Sequence, residues 1–188
     1  MPKSKPNYKN IGNFLFEIGD LKRIRRSGWW HVKIDDPESV AEHSFRVAII
    51  AYALARLEKS STPEKIAFAA LIHDLPESRL LDLHKISKSY VKNKHEIEAK
   101  ISIEQQEMLG FSFPVLSIRE KTIVKDADLL EMAFTAREYS KKGFPQADLL
   151  FTEAKKKIIL PASKKLLNAM EKLSPNEWWK SIEGTGKK

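Results

Sequence analysis

Four side chains in this sequence, His43, His73, Asp74 and Asp128, are of types that hold a divalent cation, and each falls in or beside an apolar helical pattern. The stretch Ala69-Ala70-Leu71-Ile72-His73-Asp74 ends an apolar run in adjacent imidazole and carboxylate groups. An ionised Asp buried without a partner is costly, so such a group is paired or bound to a metal. Taken alone, the dipeptide also fits a helix-ending Asp beside a core His. His43 aligns with Val47, Ile50 and Leu54 at steps of four, three and four, which turns it inward on a helix. Asp128 shares a stripe with Val124 and Met132; its rival Asp126 is flanked at the same spacing by Thr122 and Leu130, a less apolar face. Two His and two Asp suit Mn, Co, Ni, Zn or Fe. On an octahedral ion they leave positions for water and a substrate oxygen. Glu77 follows three residues after Asp74, and Asp82 five after Glu77. Carboxylates there can orient or deprotonate a water, cap helices, or bind a second ion.

The elements that must position these groups belong to a chain of 188 residues, 42% hydrophobic and 31% charged, the profile of one globular domain. The absence of cysteine excludes disulfide scaffolds, Cys-based zinc sites, iron–sulfur clusters and thiol catalysis. The opening MPKSKPNYKN has no apolar run of a signal peptide. The longest apolar stretch, Val47 to Leu57, is interrupted by Arg56 and is too short to span a bilayer, so no membrane partner and a cytoplasmic location are expected. The net charge of +8 favours anionic partners without choosing among metabolites, nucleic acid and membrane surface. The lysine runs at 155–157, 164–165 and 187–188 read as a solvated helix face and a frayed tail over about 184–188.

Helical periodicity runs through almost the whole chain. It predicts helices over about Asn10–Ile24, Pro37–Lys59, Pro63 to Leu75–Pro76 with Thr62 as N-cap, and Lys94–Leu109 stopped by Gly110. Further helical segments are predicted over about Pro114–Lys142, as one helix or two, and over Pro145–Leu173 with an interruption near Pro161. Residues 77–90 read as an irregular connection. The second helix is apolar all round in its middle and is expected to be central. No sustained alternation of period two occurs, so the fold class is all-α, a single domain with its core over about 11–173. His31 and His95 sit in polar contexts and are expected on the surface, while Trp178 and Trp179 read as core anchors.

The order His43, then His73-Asp74, then Asp128, each assigned to a helix, resembles the HD-domain metal-dependent phosphohydrolases. The likeness extends to Arg26-Ser27-Gly28-Trp29, to Pro37-Glu38-Ser39-Val40-Ala41-Glu42-His43, to His73-Asp74-Leu75-Pro76-Glu77 with Asp82, and to Lys125-Asp126-Ala127-Asp128. Together, over about residues 11–139, these are similar to the 5′-deoxynucleotidase subgroup, which acts on nucleoside 5′-monophosphates. The loop Asp82-Leu83-His84 differs from the usual Gly-Asp-Ile/Leu-Pro pattern of that subgroup.

The resemblance implies a helical HD-domain bundle that binds a divalent cation (Mn, Co, Ni, Zn, Fe or Mg) through His43, His73, Asp74 and Asp128. It implies Glu77 as the residue that helps activate water. It implies an Arg–Trp element engaging phosphate and sugar, carried here by Trp29 and by Arg26 in preference to Arg25. Asp82 matches a substrate-contacting loop, or a second metal position together with Glu77. A nucleotide substrate and a homodimer follow from the same likeness. The expected reaction is direct hydrolysis of a phosphomonoester by metal-activated water, with Arg26 offering a planar fork to the phosphate. A phosphodiesterase, or a hydrolase of another small phosphorylated metabolite, is the enzymatic alternative. A basic helical nucleic-acid-binding or regulatory module is the non-enzymatic one; it lacks a recognisable helix-turn-helix or aromatic-rich binding face.

Overall fold

A computed structural model describes residues 7–183, and the tail expected at 184–188 lies outside them. Ten helices follow one another among the described residues: α1 Tyr8–Gly19, α2 Val40–Leu57, α3 Pro63–Leu71, α4 Glu77–Leu80, α5 Lys85–Tyr90, α6 Lys94–Leu109, α7 Ile118–Lys141, α8 Asp148–Lys157, α9 Pro161–Glu171 and α10 Glu177–Glu183. Short 3₁₀ turns cover Asp20–Lys22, Ser27–Val32 and Pro145–Ala147. The described residues contain no strand, only an isolated antiparallel bridge between Arg25 and Ser39. The fold is one all-helical domain, as the periodicity indicates.

Helix ends are where local chemistry decided the outcome. α2 starts at Val40 rather than at Pro37, because Ser39 and Glu42 form a reciprocal capping box that satisfies both orphan donors. α7 is one continuous helix, opened at Ser117 by a second capping box with Glu120. α6 stops at Gly110, whose φ of +74° is the left-handed conformation that glycine adopts without strain. Pro161 opens α9 instead of kinking a longer helix. The first predicted helix ends at Gly19, and its last residues tighten into a 3₁₀ turn. Thr62 occupies the N-cap position of α3, yet its hydroxyl accepts no N–H from its own helix and instead donates to Glu120 Oε1 at 2.7 Å. The connection over 77–90 contains two short helices, α4 and α5.

The main core joins α2, α3, α7, α8 and α9 through Val47, Leu54, Ile66, Ile123, Leu130, Ala154 and Leu167. A second cluster gathers Trp29, Val32, Ile34, Ala136 and Ala147, and a third gathers Phe14, Leu21, Val40 and Leu75. α2 is central on one side only: Phe45 and Ile49 are exposed, so its apolar circumference does not mean burial all round. Trp178 and Trp179 are exposed on α10, whereas the sequence expectation buries them as core anchors. His31 and His95 lie at the surface, as their polar contexts indicate.

Candidate metal centre

His43 sits in the first turns of α2 with no exposed surface, on the buried stripe that continues through Val47, Ile50 and Leu54. His73 and Asp74 are not inside a helix. α3 unwinds after Leu71, ahead of Pro76, which cannot donate the helical N–H and disfavours helix in the residue before it. His73 then turns back and its Nδ1 meets the carbonyl of Ala70 at 2.6 Å, satisfying one of the orphan acceptors at the helix end. Asp128 projects from the middle of α7. Asp126, the rival, is fully buried but faces elsewhere: it accepts the backbone N–H groups of Ile159 and Leu160 at 3.2 and 2.8 Å, pinning the link between α8 and α9.

The four groups converge. His43 Nε2 lies 3.2 Å from Asp128 Oδ1 and 3.7 Å from Asp74 Oδ2, and His73 Nε2 lies 3.2 Å from Asp74 Oδ2. Donor atoms of His43, His73 and Asp128 all fall within 4.8 Å of one another. His43 Nδ1 meets Glu131 Oε2 at 2.6 Å and His73 Nδ1 meets a carbonyl, both acceptors, so each Nδ1 carries the proton. Each Nε2 is thereby turned into the cluster, where, once deprotonated, it would offer its lone pair to a cation. His43 Nε2 is buried with no hydrogen-bond partner, an orphan that a cation would satisfy. Two imidazoles and two carboxylates at these separations fit one divalent ion.

Arg26 lies among the carboxylates. Its Nη1 is 3.3 Å from Asp74 Oδ2 and 3.1 Å from Asp82 Oδ1, and its Nη2 is 3.8 Å from Asp128 Oδ1. Burial opposes its charge, but Asp74, Asp82 and Asp128 outweigh it and hold Arg26 firmly protonated. Arg25 points away and pairs with Asp36 at 2.9 Å. Burial raises Asp74 and Asp128; the charges of His73, Arg26 and His43 outweigh it for Asp74, and the close His43, with His73 and Arg26, for Asp128, keeping both below the usual carboxylate range. For His43, burial and Arg26 oppose protonation, yet the Asp128 and Glu131 carboxylates prevail and raise it to about 10.

Glu77, at the start of α4, is 2% exposed and its Oε2 has no hydrogen-bond partner. Burial, then the charges of Asp74 and Asp82, push it up to about 9. Asp82 is not a free carboxylate. Its Oδ2 accepts the Ser27 N–H at 2.5 Å and the Ser27 hydroxyl at 3.1 Å, and its Oδ1 accepts Arg26. Trp29 is 3% exposed, stacked edge-on against Tyr139 with its indole N–H on Glu38 Oε1 at 3.1 Å. It therefore braces the Arg26 segment from behind and has little surface to present as a wall to a sugar.

Three residues to which the sequence assigns no role complete the centre. Glu131 holds His43, Arg46 holds Glu131, and Glu38 joins Trp29 to Thr135. Their signal was present in helical spacing, since Arg46 lies one turn after His43 and Glu131 one turn after Asp128. A second carboxylate–imidazole group brings Glu38 together with His43 and Glu131, which already meet through Nδ1 and Oε2.

A family model described as HD domain matches residues 18–167. The chain is 31% identical to the 5′-deoxynucleotidase hdd1 of Schizosaccharomyces pombe, over 92% of this chain and 94% of that protein. It is 31% identical to the 5′-deoxynucleotidase HDDC2 of Homo sapiens, over 70% of this chain and 69% of that one. Among solved structures it resembles a conserved hypothetical protein from Pyrococcus furiosus, with a TM-score of 0.70 and 33% identity over 86% of this chain and 99% of that one. A protein from Archaeoglobus fulgidus gives a TM-score of 0.62 and 34% identity over 89% and 98% of the two chains. The chain belongs to the HD domain family.

Proposed function

We propose that this protein is a metal-dependent phosphomonoesterase that hydrolyses deoxyribonucleoside 5′-monophosphates to nucleoside and phosphate. The observation that carries the reading is the convergence of His43 Nε2, His73 Nε2, Asp74 Oδ2 and Asp128 Oδ1, with both histidine tautomers set from behind. The relatives named 5′-deoxynucleotidase support the substrate class.

His43, His73, Asp74 and Asp128 would hold the ion, one of Mn, Co, Ni, Zn, Fe or Mg. When bound, a divalent cation polarises a phosphoryl oxygen, lowers the pKa of a bound water towards ~7 and draws Glu77 back towards its ionised form. Arg26, the cation-bearing side chain among the carboxylates, binds the substrate phosphate through its planar fork. Asp82 and Trp29 fix the backbone from which Arg26 projects. Glu77, with Oε2 unengaged, takes the proton of the attacking water. No side chain is required as a covalent nucleophile. A cysteine-free chain with no membrane-length apolar helix among the described residues suits the cytoplasm, and the homodimer follows from the family resemblance alone.

The test is phosphate release from a panel of ribo- and deoxyribonucleoside 5′-monophosphates by protein stripped and reloaded with each metal. Activity restored by one of these ions on 5′-deoxynucleotides is expected. No release from any nucleoside monophosphate would overturn the reading.

A further inference from the structure

Glu131 lies on α7 one turn beyond Asp128, has no exposed surface, and faces away from the cation cluster. Its two oxygens are fully committed. Oε2 accepts His43 Nδ1 at 2.6 Å, while Oε1 accepts Arg46 Nε at 2.9 Å and the Thr135 hydroxyl at 2.8 Å. Arg46, one turn after His43 on α2, also pairs with Glu138 at 2.6 Å. A polar chain thus crosses the α2–α7 contact, and one end of it is a candidate ligand.

Fold stability alone does not call for this polar network. Around it, α2 and α7 meet through Val47, Leu54, Ile123, Ala127 and Leu130, all without exposed surface. Replacing a buried ion pair in such surroundings by apolar residues is often neutral or stabilising. What apolar residues would not do is hold the His43 ring in one rotation and one tautomer. We propose that Glu131, ion-paired with Arg46, is a positioning residue of the metal centre, keeping His43 protonated at Nδ1 so that Nε2 faces Asp74 and Asp128. The inference rests on the metal reading above and goes beyond it by assigning the group behind a ligand.

The geometry also fixes what an isosteric change does. In Glu131→Gln, Arg46 and Thr135 both donate, so they claim the amide oxygen and turn the NH2 group towards His43 Nδ1. That favours the tautomer with its proton on Nε2, which cannot ligate.

The test is isothermal titration of the stripped protein with Mn2+ and Zn2+ for the parent, Glu131→Gln and Glu131→Asp. Glu131→Gln should bind about 10–100-fold more weakly, and Glu131→Asp, which retains the charge facing Arg46, should fall between the two. A second readout is the nitrogen NMR spectrum of the Zn2+-saturated proteins: the parent shows His43 protonated at Nδ1 with slow exchange, and Glu131→Gln loses that protected proton. A parent that binds neither ion overturns the metal reading itself. A parent that binds, with a Glu131→Gln variant of equal affinity and equal Nδ1 protection, overturns the positioning role alone. If Glu131→Gln loses its helical circular dichroism, Glu131→Asp decides: weaker binding supports the role, and parental affinity overturns it.

Discussion

Ser27 donates both its backbone N–H and its hydroxyl to Asp82, the first at 2.5 Å to Oδ2 and the second at 2.7 Å to the carbonyl. The residue before it, Arg26, reaches the other carboxylate oxygen of the same Asp82. The loop after α4 and the turn before α2 are therefore locked together behind the guanidinium.

Asp82→Ala leaves the Ser27 N–H without its acceptor in a buried place, and removes one of two close anchors of Arg26. An unpaired buried donor costs about 1–3 kcal/mol, more where the partner was charged. The variant should lose about 2–4 kcal/mol in urea denaturation, with a raised KM because Arg26 is less well held. A loss confined to KM, with unchanged denaturation, would make Asp82 a substrate contact and not an anchor.

Removal of metal should leave a protein that weakens as pH rises. Glu77 is raised to about 9 and His43 to about 10, so between pH 7 and 9 the folded state holds two protons that the unfolded chain has released. Their stabilising effect is complete below the unfolded values and is lost as pH rises through the folded ones. Each contributes a slope of about 1.4 kcal/mol per pH unit. Glu38, raised to about 7, titrates lower in the range. Urea midpoints of chelated protein at pH 7, 8 and 9 should fall steeply, and Glu77→Gln should roughly halve the slope. Equal slopes in parent and variant would show that Glu77 does not hold a proton there. In loaded enzyme, Glu77→Ala should keep the ion but slow turnover about 10²–10⁴-fold if it serves as the base; loss of the ion would make it a ligand instead.

Leu81 links α4 to Asp82 with φ +64° and ψ 168°, a region that is essentially restricted to glycine. Such a residue carries about 1–3 kcal/mol of backbone strain, and glycine returns about 0.5–1 kcal/mol of that as lost unfolded-state freedom. The side chain is 60% exposed, so little packing is sacrificed. Leu81→Gly should raise stability by about 1 kcal/mol, whereas Leu81→Ala, which keeps the Cβ, should not. Thermal melts of the two variants make the comparison, and an equal shift in both would remove backbone strain as the cause.

The stripe His43–Val47–Ile50–Leu54 was legible because helical spacing and apolar neighbours both point to the same face. The preference of the sequence for Asp128 over Asp126 is weaker. Apolar neighbours mark burial, and the structure buries Asp126 more deeply, on backbone amides that no pattern reveals. Pro76 ended α3 a full turn earlier than apolar content implies, which is why His73 and Asp74 stand in a turn. Glu131 and Arg46 each read as an ordinary charged residue on an exposed helix face until the partner helix is in place. Trp29 was recognisable by spacing, but only packing against Tyr139 showed that it is enclosed.

The central claim is that two imidazoles and two carboxylates hold one cation that performs the hydrolysis. The most direct measurement is the metal content of purified protein beside its release of phosphate from deoxyribonucleoside 5′-monophosphates, for the parent, His73→Ala and Asp74→Ala. The parent should hold a stoichiometric divalent ion and turn over, and both variants should lose the ion and the activity together. Variants that hydrolyse at the parent's rate, with or without metal, would contradict the assignment.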